Sequence, residues 1–154
     1  MVAGGGFLRA EVLSVAPRAK AVFETVIYGG DTAALAEFYC RAVGLEVLSQ
    51  SDLVAVLRCG DGVLLIFNPE LSSPPGRPVP SHGTEGAGHL AFAARPEDLP
   101  AWRARLGEAG VEIEQEVDWE DGGTSLYFRD PAGNSVELAP PTLWGGGWRF
   151  PESD

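Results

Sequence analysis

One order of local signals runs twice through this chain. The stretch AVFETVIY (21–28) is rich in β-branched and aromatic residues and predicts a strand. Gly29-Gly30 breaks it, and Asp31 is a good N-cap for TAALAEFYCRAV (32–43). Within that segment Leu35, Phe38, Tyr39 and Ala42 fall at i, i+3, i+4 and i+7, which is one apolar stripe of a helix. Gly44 suits the position after the helix, where a left-handed backbone is needed. Three short strands are expected next: EVLSQ from 46, LVAVLRC from 53 and GVLLIFN from 62. The hairpin signal Gly60-Asp61-Gly62 joins the last two.

The order then returns. GHLAFAA from 88 predicts a strand, and Pro96 suits a first helical turn. Leu99, Trp102 and Leu106 share one helix face, and Gly110 ends that helix. VEIEQEV, TSLYFR and NSVELAP predict three more strands. In the turn 130–134, Pro131 presets φ for the first corner and Gly133 supplies a positive φ. Glu24 to His89 is 65 positions and Gly44 to Gly110 is 66, so the spacing repeats along with the order.

A single βαβββ unit cannot cover both faces of its sheet. Two units can pair, so the chain is expected to be an α+β protein. Two βαβββ modules would form a curved mixed sheet around a central trough, with the helices outside. The expected organisation is an N-terminal extension (1–20), a first module (21–68), a Pro/Gly/Ser-rich linker (69–86), a second module (87–141) and a C-terminal tail (142–154). With 154 residues, 45% of them apolar, such a core needs no disulfide. Cys40 and Cys59 form no CxxC pair and read as small buried thiols.

Charge excludes some partners. The 22 acidic residues outnumber the 11 basic ones, for a net charge of -11. That argues against nucleic acid and against an anionic membrane surface, both of which require clustered Lys and Arg. No apolar run approaches the ~18 residues of a membrane span, and the first residues lack a charged segment followed by an apolar one. A cytoplasmic protein is expected. The GGG runs at 4–6 and 145–147 fit no phosphate-binding motif, and Ser125 and Ser135 lack a nucleophile-elbow context. Trp144 and Trp148 are expected to cover a sheet edge or a dimer partner.

The segments DTAALAEFYCRAVG (31–44), GHLAF (88–92) and YFRDPAGNSVEL (127–138) resemble the vicinal oxygen chelate superfamily. That group includes glyoxalase I, bleomycin-resistance proteins, extradiol dioxygenases and fosfomycin-resistance enzymes. The resemblance covers about residues 21 to 141, on the scale of an ordinary domain. It implies metal ligands at four strand positions, which fall on Glu24, Leu65, His89 and Glu137. Ile66 is the alternative to Leu65, and neither side chain binds a metal. The alternation of strand side chains is compatible with this. Glu24, Val26 and Tyr28 share one face of their strand. His89, Ala91 and Ala93 share one face of theirs, and Glu137 faces away from Val136 and Leu138.

The implied set Glu24, His89 and Glu137 departs from the two-histidine, one-carboxylate pattern of dioxygen-activating members. Leu65 stands where glyoxalase I members usually have a carboxylate. Two carboxylates and an imidazole would suit a divalent ion, whether Zn, Ni, Mn, Fe or Co, that polarises a carbonyl or enolate oxygen, with Glu24 or Glu137 as base. The expected function is a divalent-metal-dependent lyase or isomerase acting on a small oxygenated metabolite. The alternative is a non-catalytic protein, like the bleomycin-resistance proteins, that sequesters a small molecule. Tyr28, Phe67 and His82 are the expected substrate contacts, with His82 reaching in from the linker or standing solvated on it. The resemblance and the open sheet edges point to a homodimer.

Overall fold

The computed structural model describes residues 18–19, 21–120 and 122–145. Most of the expected N-terminal extension and the tail beyond residue 145, with Trp148, lie outside these residues. The elements run β1 (Glu24–Tyr28), α1 (Thr32–Val43), β2 (Glu46–Gln50), β3 (Val54–Cys59), β4 (Gly62–Phe67), α2 (Pro69–Ser72), β5 (His89–Ala93), α3 (Leu99–Glu108), β6 (Ile113–Trp119), β7 (Gly123–Arg129) and β8 (Ser135–Ala139). A single 3-10 turn, Pro96–Asp98, leads into α3. The four-residue α2 lies inside the segment expected to be a linker. Asn68 caps it by accepting from the Glu70 amide, and Pro69 starts it.

α1 begins and ends where its residues dictate. The Asp31 carboxylate accepts from the Ala34 amide at 2.9 Å. Gly44 takes φ 76 and returns its amide to the Cys40 carbonyl. Leu35, Phe38, Tyr39 and Ala42 are all buried, as their spacing requires. Gly133 takes φ 83 and closes the β7–β8 turn on the Asp130 carbonyl.

The strands divide into two four-stranded mixed sheets, ordered β1-β4-β3-β2 and β5-β8-β7-β6. In each, the first strand of the module runs parallel to the last, and the remaining pairs are antiparallel. No hydrogen-bonded ladder joins the two sheets among the described residues, so β1 and β5 are both edge strands.

One core serves both sheets. Ile27, Ala55, Leu57, Leu64 and Ile66 of the first sheet join Leu90, Leu126, Phe128, Val136 and Leu138 of the second in a single buried cluster. α1 is the bridge: Phe38 meets Phe128 with ring centroids 6.2 Å apart, and Tyr39 meets Phe92 at 6.2 Å. The residues of opposite parity on each sheet point away from this shared core.

Polar groups reinforce the junction. The Arg105 guanidinium of α3 donates to the Arg41, Ala42 and Cys40 carbonyls at the end of α1. Those carbonyls are the unpaired acceptors of a helix C-terminus, and a cation there also suits the helix dipole. The buried Asn134 accepts from the Gly88 amide at 2.7 Å and donates to the Tyr28 carbonyl at 3.2 Å. The starts of β5 and β8 are thereby tied to the end of β1.

Candidate metal centre

The second sheet presents a compact group on the face away from the core. β5 and β8 pair in parallel, with His89 opposite Ser135 and Ala91 opposite Glu137. β7 places Tyr127 opposite Glu137 on the other side. His89 Nε2 lies 3.3 Å from Glu137 Oε2. His89 Nδ1 lies 3.1 Å from the Ser135 carbonyl, which can only accept. That carbonyl requires a proton on Nδ1, and a neutral ring then directs its Nε2 lone pair at the carboxylate.

Burial sharpens the arrangement. Glu137 is 5% exposed, whereas the His89 side chain is 53% exposed. Glu137 Oε1 is buried and has no hydrogen-bond partner among the described residues. The Tyr127 ring stacks on His89 with centroids 6.4 Å apart and planes 23° apart. Burial pushes the Tyr127 phenol above its ordinary pKa, and the adjacent Glu137 carboxylate pushes it further in the same direction. Trp119 extends the same face, its indole N–H donating to the buried Ser125 hydroxyl at 2.9 Å.

Glu24 stands elsewhere. It is exposed on β1, opposite Val63 of β4. Its sheet and the sheet of His89 and Glu137 share a core on their other sides. Among the described residues no three His, Cys, Asp or Glu side chains gather closely enough to hold a metal ion. One chain therefore brings together His89 and Glu137, two of the three expected ligands, and does not bring Glu24 to them.

The open face of the first sheet is mainly apolar. Leu65 pairs with Val26 on one side and Val56 on the other, and is half-buried there. Ile66 is fully buried in the core, so the open-face residue of the two alternatives is Leu65. At the far end of this face the expected substrate contacts come together. The Tyr28 hydroxyl lies 2.9 Å from His82 Nδ1. The His82 ring stands edge-on to Phe67 at 4.6 Å, and the Arg77 guanidinium lies 5.6 Å from the Phe67 centroid.

Sequence reasoning named His82, Tyr28 and Phe67 but not Arg77 or Tyr127. The signal for Tyr127 was its parity: it follows Ser125 by two, and both alternate with the core residues Leu126 and Phe128. Arg77 carried only the weaker signal of a cation within a Pro-rich segment of an acidic chain.

The donor set fits a metal in part. A buried carboxylate oxygen without a partner is costly, and a divalent cation is a group that offsets it. Imidazole and carboxylate are both ordinary ligands of first-row divalent ions.

Comparison with known proteins is consistent with this geometry. The sequence model of the Glyoxalase/Bleomycin resistance protein/Dioxygenase superfamily matches residues 21–138. The crystal structure of lactoylglutathione lyase from Agrobacterium tumefaciens aligns with TM-score 0.79 at 36% identity, over 84% of this chain and 100% of that one. Metallothiol transferase FosB of Bacillus licheniformis is 39% identical over 51 residues, 32% of this chain and only 33% of that protein. Glutathione transferase FosA of Serratia marcescens is 34% identical over 102 residues, 66% of this chain and 67% of that protein.

Proposed function

The chain belongs to the glyoxalase/bleomycin resistance protein/dioxygenase superfamily, and from that premise we propose that it is a divalent-metal-dependent lyase or isomerase acting on a small oxygenated metabolite. The observation that carries this reading is the buried Glu137 carboxylate, with Oε1 unpartnered among the described residues and Oε2 3.3 Å from His89 Nε2. Two acceptors 3.3 Å apart repel unless a proton or a cation lies with them.

His89 and Glu137 would hold the ion, and Glu24 of a second copy would complete the set. Among the described residues one chain does not bring Glu24 to His89 and Glu137, and in this reading the Glu24 that meets them comes from another chain. A homodimer follows from this reading. When bound, the ion supplies Lewis-acid polarisation of a carbonyl or enolate oxygen.

The side chains divide the remaining work. Glu137, buried beside His89, stays a ligand. Glu24 is exposed and, as the more accessible of the two ligand carboxylates, would also take a proton from the carbon next to the substrate carbonyl. Tyr127 and Trp119 wall the His89 face and limit water around it. Tyr28, Phe67 and His82 bind the rest of the substrate.

Metal content per chain, measured by elemental mass spectrometry on untagged protein purified without chelator, tests this. About one ion per chain is expected in the wild type, and none in folded His89→Ala or Glu137→Ala. A wild type that stays empty after incubation with Zn, Ni, Mn and Fe(II) would overturn the reading. Sequestration of a small molecule would then be favoured by Leu65, which sits between Val26 and Val56 at the fourth ligand position and makes that face apolar.

A further inference from the structure

The cations of this chain are few, and among the described residues most are committed. Arg41, Arg58, Arg103 and Arg129 each pair with a glutamate. Arg105 is taken up by the carbonyls at the end of α1. Arg77 differs: among the described residues it forms no ion pair, although acidic residues outnumber basic ones 22 to 11. It is half-buried, not splayed into solvent.

Its position is built. Arg77 Nη1 donates to the Ser72 carbonyl at 3.0 Å, and the His82 amide donates to the same carbonyl at 3.2 Å. One acceptor at the end of α2 therefore pins both residues. Both also lean on Phe67, the guanidinium at 5.6 Å and the imidazole at 4.6 Å. The Tyr28 hydroxyl lies 2.9 Å from His82 Nδ1, and a neutral ring that accepts there carries its proton on Nε2. A guanidinium has five N–H donors, and one of Arg77's is engaged among the described residues. The cluster is thus rich in unspent donors and has one fixed positive charge, at the end of an aliphatic sheet face.

We propose that Arg77 and His82 form an anion subsite that takes a carboxylate or phosphate group of the ligand. Planar bidentate recognition of an oxyanion is what a guanidinium does best, and an adjacent ring N–H adds a third donor. The subsite rests on the metal-centre reading only for its place in the reaction. There it sets the substrate class. Tyr28 lies four residues along β1 from Glu24, about 13 Å at the rise of a strand. The substrate is then an elongated molecule with its anionic group at the end away from the reacting oxygens.

The test uses full-length, chelator-treated protein, so that it does not depend on the metal. The probes are lactate, inorganic phosphate and the neutral isostere lactamide, each titrated at constant ionic strength. The readout is the NMR signals of the Arg77 side chain and the His82 ring. Saturable shifts with lactate or phosphate, none with lactamide, and binding weakened about tenfold or more in Arg77→Gln are expected. The stronger of the two anions identifies a carboxylate or a phosphate ligand. Arg77→Lys, which keeps the charge without the planar fork, is expected to fall between. Unmoved Arg77 and His82 signals, equal shifts with lactamide, or undiminished anion binding in a folded Arg77→Gln would overturn the subsite. Anion binding by a protein that takes up no metal would retain the subsite and remove the metal-centre reading.

Discussion

The Tyr39 hydroxyl donates to Asp130 Oδ2 at 2.8 Å, inside the core and across the junction of the two modules. Asp130 also accepts from the Ala132 and Asn134 amides and from the Asn134 side chain. The β7–β8 turn that starts β8, and hence aims Glu137, is therefore anchored to α1 of the other module.

Removing that anchor leaves part of a buried carboxylate unsatisfied. Tyr39→Phe is expected to lower stability by about 1–3 kcal/mol, read as a lower urea midpoint with an unchanged slope. The pH dependence has a definite sign. Burial, and then the Asp130 charge, push the Tyr39 phenol far above its ordinary pKa. Below about pH 10 both folded and unfolded phenols are neutral and the contribution is complete. Above it the unfolded chain ionises first, so stability is lost on the alkaline side. Urea midpoints between about pH 8 and 11 should fall more steeply for the wild type than for Tyr39→Phe.

Arg105 is a second anchor, and its chemistry is not that of a surface charge. Arg105→Ala should cost about 1–2 kcal/mol, because three end-of-helix carbonyls lose a charged donor. Arg105→Lys should recover less than half of that, since an ammonium cannot reproduce the fork. Neither change should alter metal content. Hydrogen exchange is the direct measurement, with faster exchange expected in the last turn of α1 in both variants.

Much of the fold was legible because its signals are local. The α1 limits, 32–43, and the turn around Pro131 and Gly133 follow from cap and turn chemistry that acts within a few residues. The repeat spacing gave the order of the strands. What no local signal carries is the relation between the modules. The parity of Glu24 and of His89 says that each faces away from its own packed face, and it does not say that the packed faces are shared. That depends on Phe38 and Tyr39 of α1 reaching Phe128 and Phe92, contacts between residues far apart in sequence. α2 is hard to read for a different reason: four residues are too few for a periodic pattern.

A site shared between copies has a consequence that a site within one chain lacks. Glu24→Ala and His89→Ala should each abolish stoichiometric metal binding alone. Coexpressed in equal amounts, they should recover about a quarter of wild-type metal, because half of the dimers are hybrids and each hybrid has one intact site. Elemental analysis of the mixture decides the matter, and no recovery from mixed, folded dimers would place the ligands within a single chain.

Leu65 gives the sharpest test of the donor set. It occupies an open-face position on β4 between Val26 and Val56, half-buried among aliphatic neighbours. If the metal site forms against this sheet, Leu65→Glu adds a fourth donor and a third negative charge. Metal affinity should then rise about tenfold or more, measured by competition with a chelator. The metal-free variant should lose about 1–3 kcal/mol, because a carboxylate replaces an apolar side chain on a half-covered face. Added metal should return much of that loss as a higher melting temperature, since a ligand that binds only the folded state stabilises it by mass action. A Leu65→Glu protein that is destabilised but gains no affinity would mean that this face does not meet His89 and Glu137 of another copy. An isosteric Leu65→Met separates the two effects, because it should change neither metal affinity nor stability by more than about 1 kcal/mol.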